Sequence, residues 1–181
     1  MKLKAEDLLK ELETYTKQNI ETAEKLKQLD LDTLQKRANP STWNALECFE
    51  HLNMYGVFYN PEIKNRIENA KHSFVDEFKS GMIGNYFAKS MLPNEKQSKM
   101  KTYLDKDPKY KELDKNTISV FIKQQEEMLK ILKSCRKVNL TKTKTAISIS
   151  TVLKLRLGDT LRVVIYHNIR HIEQAKRAVG I

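Results

Sequence analysis

Apolar residues recur every three or four positions along residues 5–29, and lysine and glutamate fill most positions between them. This period is typical of an amphipathic helix that buries one face. The same period returns in three later stretches, which begin near residues 41, 113 and 158. Four long helices without a convincing sheet predict an all-α fold, a four-helix bundle with long crossover connections.

Turn-forming residues indicate where these helices begin. The Asn-Pro pair at positions 39 and 40 disfavours helix, so Ser41 or Thr42 is predicted to cap the second helix. A second Asn-Pro pair, at positions 60 and 61, interrupts the pattern, and either a new helix begins there or the helix kinks. Asp159 is predicted to be the N-cap of the last helix.

Two connections between the helices lack a clear helical period. Residues 72–110 are punctuated by glycine and proline, and a stretch of this length is commonly a lid, a binding loop or a mobile segment. Residues 136–156 are basic, and their fragment AISISTVL alternates as a strand would. Because no partner strand is evident, we interpret this second stretch as a structured connection outside any sheet.

The length and the cysteine content favour one domain in a reducing compartment. The 181 residues are enough for a single domain with a buried core, spanning residues 1–181. Two cysteines without CxxC spacing do not make a disulfide framework, which favours the cytoplasm. The first residues include early charges and no apolar run, so we expect no signal peptide, and no stretch is apolar enough to span a membrane.

The formal net charge is +10, and most of it lies near the C-terminal end. Residues 135–181 hold ten basic residues against Asp159 and Glu173, a net charge of +8. Such a region could meet nucleic acid, an anionic substrate or a membrane surface. Its basic residues are scattered singly and are not interleaved with aromatic residues, so the pattern favours a solvated surface over nucleic-acid binding.

Three of the four histidines can converge on one point. His167 and His171 lie one turn apart on the predicted last helix, so both rings lie on the same side of it. His51 lies on the predicted second helix and can face them from there. Three imidazoles of this kind are typical ligands of a divalent transition metal. The intervening residues are Asn, Ile and Arg, so this is not the HExxH motif of zinc proteases.

Some residues near these histidines are further candidates. Glu47, one turn before His51, could orient a water molecule or act as a base, although a surface carboxylate is the simpler interpretation. Met54 and Tyr55 could line a pocket, although core packing is the default for both. Gln174 or its neighbouring glutamate could accept the second ring proton of a ligand.

Two segments resemble a known family. WNALECFEHL and LRLGDTLRVVIYHNIRHIEQAKRA look like the tryptophan-led helix and the late HxxxH helix of the DinB/YfiT-like superfamily. The resemblance implies a four-helix bundle with one long crossover and a metal site on His51, His167 and His171. It implies a divalent transition metal, either Ni, Zn, Fe or Mn, and a chemistry that is either hydrolysis or the transfer of a small thiol.

Two classes of function remain open. The first is a metal-dependent enzyme, a hydrolase or a thiol transferase, that acts on a small-molecule substrate. The alternative is a non-catalytic helical-bundle protein, for binding or for stress, whose metal site is empty or vestigial. A homodimer is compatible with either, because bundles of this size often pair by their helix faces.

Overall fold

The computed structural model describes residues 1–92 and 102–181 and confirms the all-α bundle. In chain order its helices and strands are β1 (Lys2–Leu3), α1 (Ala5–Lys27), α2 (Leu31–Gln35), α3 (Ala45–Glu68), β2 (Phe78–Lys79), α4 (Met82–Met91), α5 (Asn116–Cys135), β3 (Lys144–Ile147), β4 (Ser150–Arg156) and α6 (Leu157–Val179). A short 3₁₀ turn at Leu104–Lys106 precedes α5. The four long helices of the bundle are α1, α3, α5 and α6.

The bundle core has two apolar parts with a polar layer between them. Helices α1 and α3 each pack against both α5 and α6, so α1 and α3 occupy opposite corners of the bundle. One apolar cluster joins the start of α1 to the start of α6, and the other joins the end of α1 to the end of α6. The helix positions between the two clusters hold buried polar side chains, namely Thr16, Asn19, Asn53, Gln125, Asn168 and His171. The buried His51 adjoins this layer, between Phe49 and Leu52 of the second cluster.

The start of α3 differs from the prediction. Asn44 is the N-cap, and its side chain accepts a hydrogen bond from the backbone N–H of Glu47 while the Glu47 carboxylate accepts from the backbone N–H of Asn44. This reciprocal pair of bonds is a capping box. The prediction of Ser41 or Thr42 as the cap is wrong, because both bond to Asn39 in a preceding turn.

The second Asn-Pro pair does not divide α3. The helix runs from Ala45 to Glu68 with Pro61 inside it, so a separate helix does not begin there. The side chain of Asn60 donates to the carbonyl of Gln124 at 3.0 Å instead of capping a new helix. This bond fastens α3 to α5 at the position where the proline removes a backbone donor.

The stretch that we interpreted as lying outside any sheet forms a hairpin. Strands β3 and β4 pair antiparallel, with Lys144 opposite Arg156 and Ile147 opposite Ser150. The alternating fragment therefore contains its own partner strand, and the prediction is wrong because the turn lies inside that fragment. The hairpin packs against α3 and α6.

The N-cap predicted for the last helix is also wrong. Helix α6 begins at Leu157, so Asp159 lies in its first turn. The Asp159 carboxylate accepts from the backbone N–H of Gly81 at 2.8 Å and from the Ser80 hydroxyl, so it caps α4 from outside that helix. The close approach has a steric requirement, since a Cβ on Gly84 would lie 2.5 Å from Asp159.

Residues 72–110 contain more regular structure than their composition predicts. Strand β2 pairs with β1, and α4 packs along α6. Residues 93–101 lie outside the described residues, so the prediction of a lid is untested there. Within residues 1–92 and 102–181, no helix combines the length and the apolar character needed to cross a membrane.

Candidate metal centre

The three predicted histidines come together in the polar layer of the bundle. His51 lies on α3, and His167 and His171 lie one turn apart on α6, which packs against α3. One nitrogen from each ring lies within 4.8 Å of a nitrogen from each of the others. This group of three histidines could therefore hold a metal ion.

The spacing of the ring nitrogens is close to what a shared ion requires. The Nε2 atoms of His51 and His167 are 3.2 Å apart. With metal–nitrogen bonds of about 2.0–2.1 Å and tetrahedral angles, two ligand nitrogens lie about 3.3 Å apart. The ring of His171 lies 4.6 Å from each of the other two rings, centre to centre. The nitrogens that the three rings offer all lie within 4.8 Å of one another.

Two hydrogen bonds fix which nitrogen of the ring is available. The Nδ1 of His51 lies 2.8 Å from the carbonyl oxygen of Lys106, and the Nδ1 of His171 lies 2.9 Å from the amide oxygen of Gln174. A carbonyl oxygen only accepts, so each Nδ1 carries the proton and each neutral ring leaves its Nε2 lone pair free. Orientation of this kind is typical of metal-ligating histidines. Gln174 thus contacts the ring of His171, and its role beside a metal stays a prediction.

The surroundings keep all three imidazoles neutral. His51 and His171 are buried and His167 is half-buried. Burial lowers the pKa of His51, and it lowers the pKa of His167 and of His171 well below the ordinary value. The mutual repulsion of neighbouring rings lowers the last two further. Neutral imidazole is the form that binds a metal.

Two aromatic side chains cover the histidine group. The Trp43 ring lies 4.8 Å from the ring of His51, and the Tyr55 ring lies 4.9 Å from His51 and 4.7 Å from His167, centre to centre. Burial and the neighbouring Tyr59 raise the pKa of Tyr55 to about 12, so its hydroxyl stays protonated. Tyr55 thus packs against two of the three histidines, whereas Met54 is half-buried on α3. The pocket role of both residues stays a prediction.

A segment after the undescribed residues is fastened to the start of α3 beside the histidines. We name residues 103–111 the strap. Its Lys106 carbonyl holds His51, its Asp107 carboxylate accepts from the Trp43 indole at 3.0 Å, and its Tyr110 backbone N–H donates to Glu47 at 2.6 Å. Sequence reasoning missed the strap, because two of these three contacts use backbone atoms and therefore do not depend on the type of residue.

The structure gives Glu47 a set of contacts away from the histidines. Its buried carboxylate accepts two hydrogen bonds from Arg37, at 2.5 and 2.6 Å, in addition to those from Asn44 and Tyr110. All of these contacts stabilise the chain around the cap of α3. A catalytic role for Glu47 stays untested, and its described contacts favour a structural one.

The two cysteines are poor nucleophiles. Cys48 and Cys135 are both free and buried. Burial raises the pKa of both thiols, that of Cys135 to about 12. The thiolate is the reactive form, so neither side chain is activated at neutral pH.

The fold and the site together define a helical bundle that could hold a divalent metal on three histidines. Comparison with known families agrees with this class, because the model of the DinB superfamily matches residues 14–175. The chain therefore belongs to the DinB superfamily. No curated protein and no solved structure matches it significantly.

Proposed function

We propose that this protein is a metal-dependent enzyme in which His51, His167 and His171 bind one divalent transition metal. Its reaction is the attack of water or of a small thiol on a small-molecule substrate. The observation that carries the proposal is the convergence of three neutral imidazoles, with nitrogens within 4.8 Å of one another, in a covered layer of the bundle.

The donor set fits such a metal. Three imidazoles suit zinc, iron or nickel and, without a carboxylate, leave the ion its full charge and open coordination positions. A metal bound there would act as a Lewis acid and bring the pKa of a water or thiol ligand close to neutrality. Nickel, zinc, iron and manganese all remain candidates, and metal analysis decides among them.

The surrounding residues have separable roles in this proposal. The Lys106 carbonyl and the Gln174 amide oxygen accept hydrogen bonds from the Nδ1 atoms of His51 and His171. The protons therefore stay on Nδ1, and each Nε2 keeps an unshared electron pair for the metal. The rings of Trp43 and Tyr55 restrict access of water to the histidines. Because both cysteines are buried, a thiol nucleophile has to arrive as a second substrate.

Two further proposals concern the whole chain. Residues 1–181 form one domain, since the two apolar clusters draw on all four long helices. Two free, buried cysteines favour a reducing compartment such as the cytoplasm. A homodimer is a further possibility, which a measurement of the molecular mass in solution tests.

Metal content is the first test. We expect protein purified without an affinity tag to contain about one transition-metal ion per chain by elemental analysis. His51→Ala and His171→Ala should lose most of it, whereas His72→Ala, which changes an exposed histidine, should keep it. Unchanged metal content in the triple variant of His51, His167 and His171 would remove the proposal.

Activity is the second test. The loaded protein is assayed with activated esters and, separately, with a small thiol and an electrophile. We expect turnover in one of the two assays that disappears in His167→Ala. A protein that binds metal but is inert in a wide screen of both kinds supports the non-catalytic alternative.

A further inference from the structure

An open groove adjoins the histidine group on one side. It lies between α3, the turn of the β3–β4 hairpin and the first residues of the strap, with a volume of about 680 Å³. This volume is within the range of small-molecule sites, which is roughly 300–1,000 Å³. Its apolar walls come from Tyr55, Phe58, Tyr103, Ile147 and Ile149.

The groove and the histidine group share two residues. Tyr55 lines the groove, and its ring also packs against His51 and His167. Lys106 lines the groove as well, and its carbonyl holds the Nδ1 proton of His51. A molecule seated in the groove therefore lies one side chain away from the imidazole nitrogens.

The lining is aromatic, weakly polar and electrically balanced. Its charged side chains are Asp105 and Lys106, which pair with each other at 2.8 Å. Its further polar side-chain groups are the hydroxyls of Ser148, Ser150 and the two tyrosines. Exposed apolar side chains also line the groove, with Tyr103 56% exposed and Ile149 46% exposed. Contiguous exposed apolar surface of this kind is commonly a binding surface.

We propose that this groove binds a small, uncharged aromatic molecule and presents it to the histidine group as the substrate. The inference rests on the proposed function for the role of the ligand, although binding in the groove can be measured by itself. Aromatic rings pack against the tyrosine and phenylalanine walls. The Ser150 hydroxyl accepts from the backbone N–H groups of Val152 and Leu153, which leaves its own proton to donate to a polar substituent. A charged ligand gains little, because Asp105 and Lys106, the charged side chains among the described lining residues, are already paired with each other.

The test uses two fluorescent probes that differ in charge. N-phenyl-1-naphthylamine is uncharged, and 1-anilinonaphthalene-8-sulfonate is a close anionic analogue. We expect the uncharged probe to bind more tightly to the full chain. Ile149→Asp should weaken it about tenfold or more, because a carboxylate placed at the apolar wall has to be desolvated. Val152→Asp is the matched control, since Val152 is 87% exposed on the same hairpin and does not line the groove.

The proximity to the histidines is tested with metal-loaded protein. We expect Co²⁺ to quench the bound probe more than Zn²⁺ does, and this difference should vanish in His51→Ala. Failure of the uncharged probe to bind, or equal weakening of its binding by Val152→Asp, overturns the proposal that the groove is a binding site. If the anionic probe binds more tightly, and Ile149→Asp weakens its binding about tenfold, the groove is a binding site but its ligand is not uncharged. Metal content should be unchanged in Ile149→Asp. If the wild-type protein binds the uncharged probe but no metal, that result counts against the proposed function and not against the groove.

Discussion

At the scale of single residues, the Glu47 carboxylate is the most heavily bonded group beside the site. It is fully buried and accepts hydrogen bonds from Arg37, Asn44 and Tyr110. Breaking one partner of a buried ion pair is costly, because the remaining charge is left without compensation. Glu47 therefore connects the cap of α3 to the strap that holds His51.

Replacing this carboxylate separates a structural role from a catalytic one. Glu47→Gln puts an amide N–H₂ group against the Arg37 guanidinium, so we expect a loss of about 2–4 kcal/mol in the free energy of unfolding. Urea titration followed by circular dichroism measures this. Glu50→Gln on the same helix removes a half-exposed pair with Lys111 and should cost less than about 1 kcal/mol. A Glu47→Gln protein with unchanged stability and abolished turnover would instead support the catalytic role.

The convergence of the three histidines could be predicted from the sequence, whereas the groups that orient them could not. His51, His167 and His171 carry the chemistry in their side chains, and the i, i+4 spacing of the last two fixes their shared face. The Lys106 oxygen that orients His51 is a backbone atom that every residue has, and it comes from 55 residues further along the chain. Only the fold brings it to the ring.

At the scale of elements, α5 and α6 are connected through the polar layer by one buried amide pair. The Asn168 side chain donates to the Gln125 side-chain oxygen at 2.9 Å. A buried acceptor that loses its donor keeps the full desolvation cost, whereas removal of both partners can be nearly neutral. Removing one amide of the pair should therefore cost more stability than its share of the loss when both are removed.

A double-mutant cycle tests this coupling. We expect Asn168→Leu and Gln125→Leu each to lower the free energy of unfolding by about 1–3 kcal/mol, and the double variant to lower it by less than the sum. Equilibrium urea unfolding of the four proteins gives the interaction energy. Metal content is recorded for each, since Asn168 adjoins His167 in the chain. Additive losses would mean that the two amides do not depend on each other.

The first half of α1 is joined to the end of α5 by two ion pairs of one arginine, and these make stability depend on pH. Arg136 donates to Glu6 at 2.9 Å and to Glu13 at 2.5 Å, and its hydrogen bond lowers the pKa of Glu6 below the ordinary value. A carboxyl with a lowered folded-state pKa stabilises the protein above its ordinary pKa. That stability is lost as the pH falls through the lowered pKa.

Glu6→Gln should therefore be destabilised relative to the wild type at pH 7, and the difference should shrink as the pH falls below about 4. Chemical unfolding at several pH values between 7 and 3 measures the difference. Glu21→Gln, at an exposed position of the same helix, should change stability at pH 7 by less than about 0.5 kcal/mol. A difference for Glu6→Gln that grows toward acid pH would mean that the pKa of Glu6 is raised on folding and not lowered.

The misplaced elements have specific physical reasons. The fragment that forms β3 and β4 turns at Ser148 and Ile149. This pair contains neither Asn-Gly nor any glycine, the residues that favour a two-residue hairpin turn. Asp159 has the chemistry of an N-cap, and it caps the neighbouring helix α4 because that helix starts beside it in space. In contrast, the four long helices follow from their apolar period alone.

At the scale of the whole molecule, the histidine group joins two helices that are far apart in the chain. His51 lies on α3 and the other two histidines lie on α6, next to the polar layer that separates the apolar clusters. An ion held by all three requires both helices in place, so it binds the folded chain and not the unfolded one. Such selective binding raises the free energy of unfolding in proportion to the logarithm of the free metal concentration.

Metal should therefore raise the melting temperature of the whole protein. At a free metal concentration of 100 times Kd the gain is about 2.7 kcal/mol, which for a chain of this size corresponds to roughly 5–11 °C. Calorimetry of the metal-free protein with and without added Zn²⁺ or Ni²⁺ measures the shift, and a chelator should reverse it. We expect His72→Ala to keep the shift and His51→Ala to lose it, because only the second removes a proposed ligand from α3. A shift of equal size in His51→Ala would place the stabilising ion elsewhere, since α6 would then gain its stability without a ligand from the facing helix.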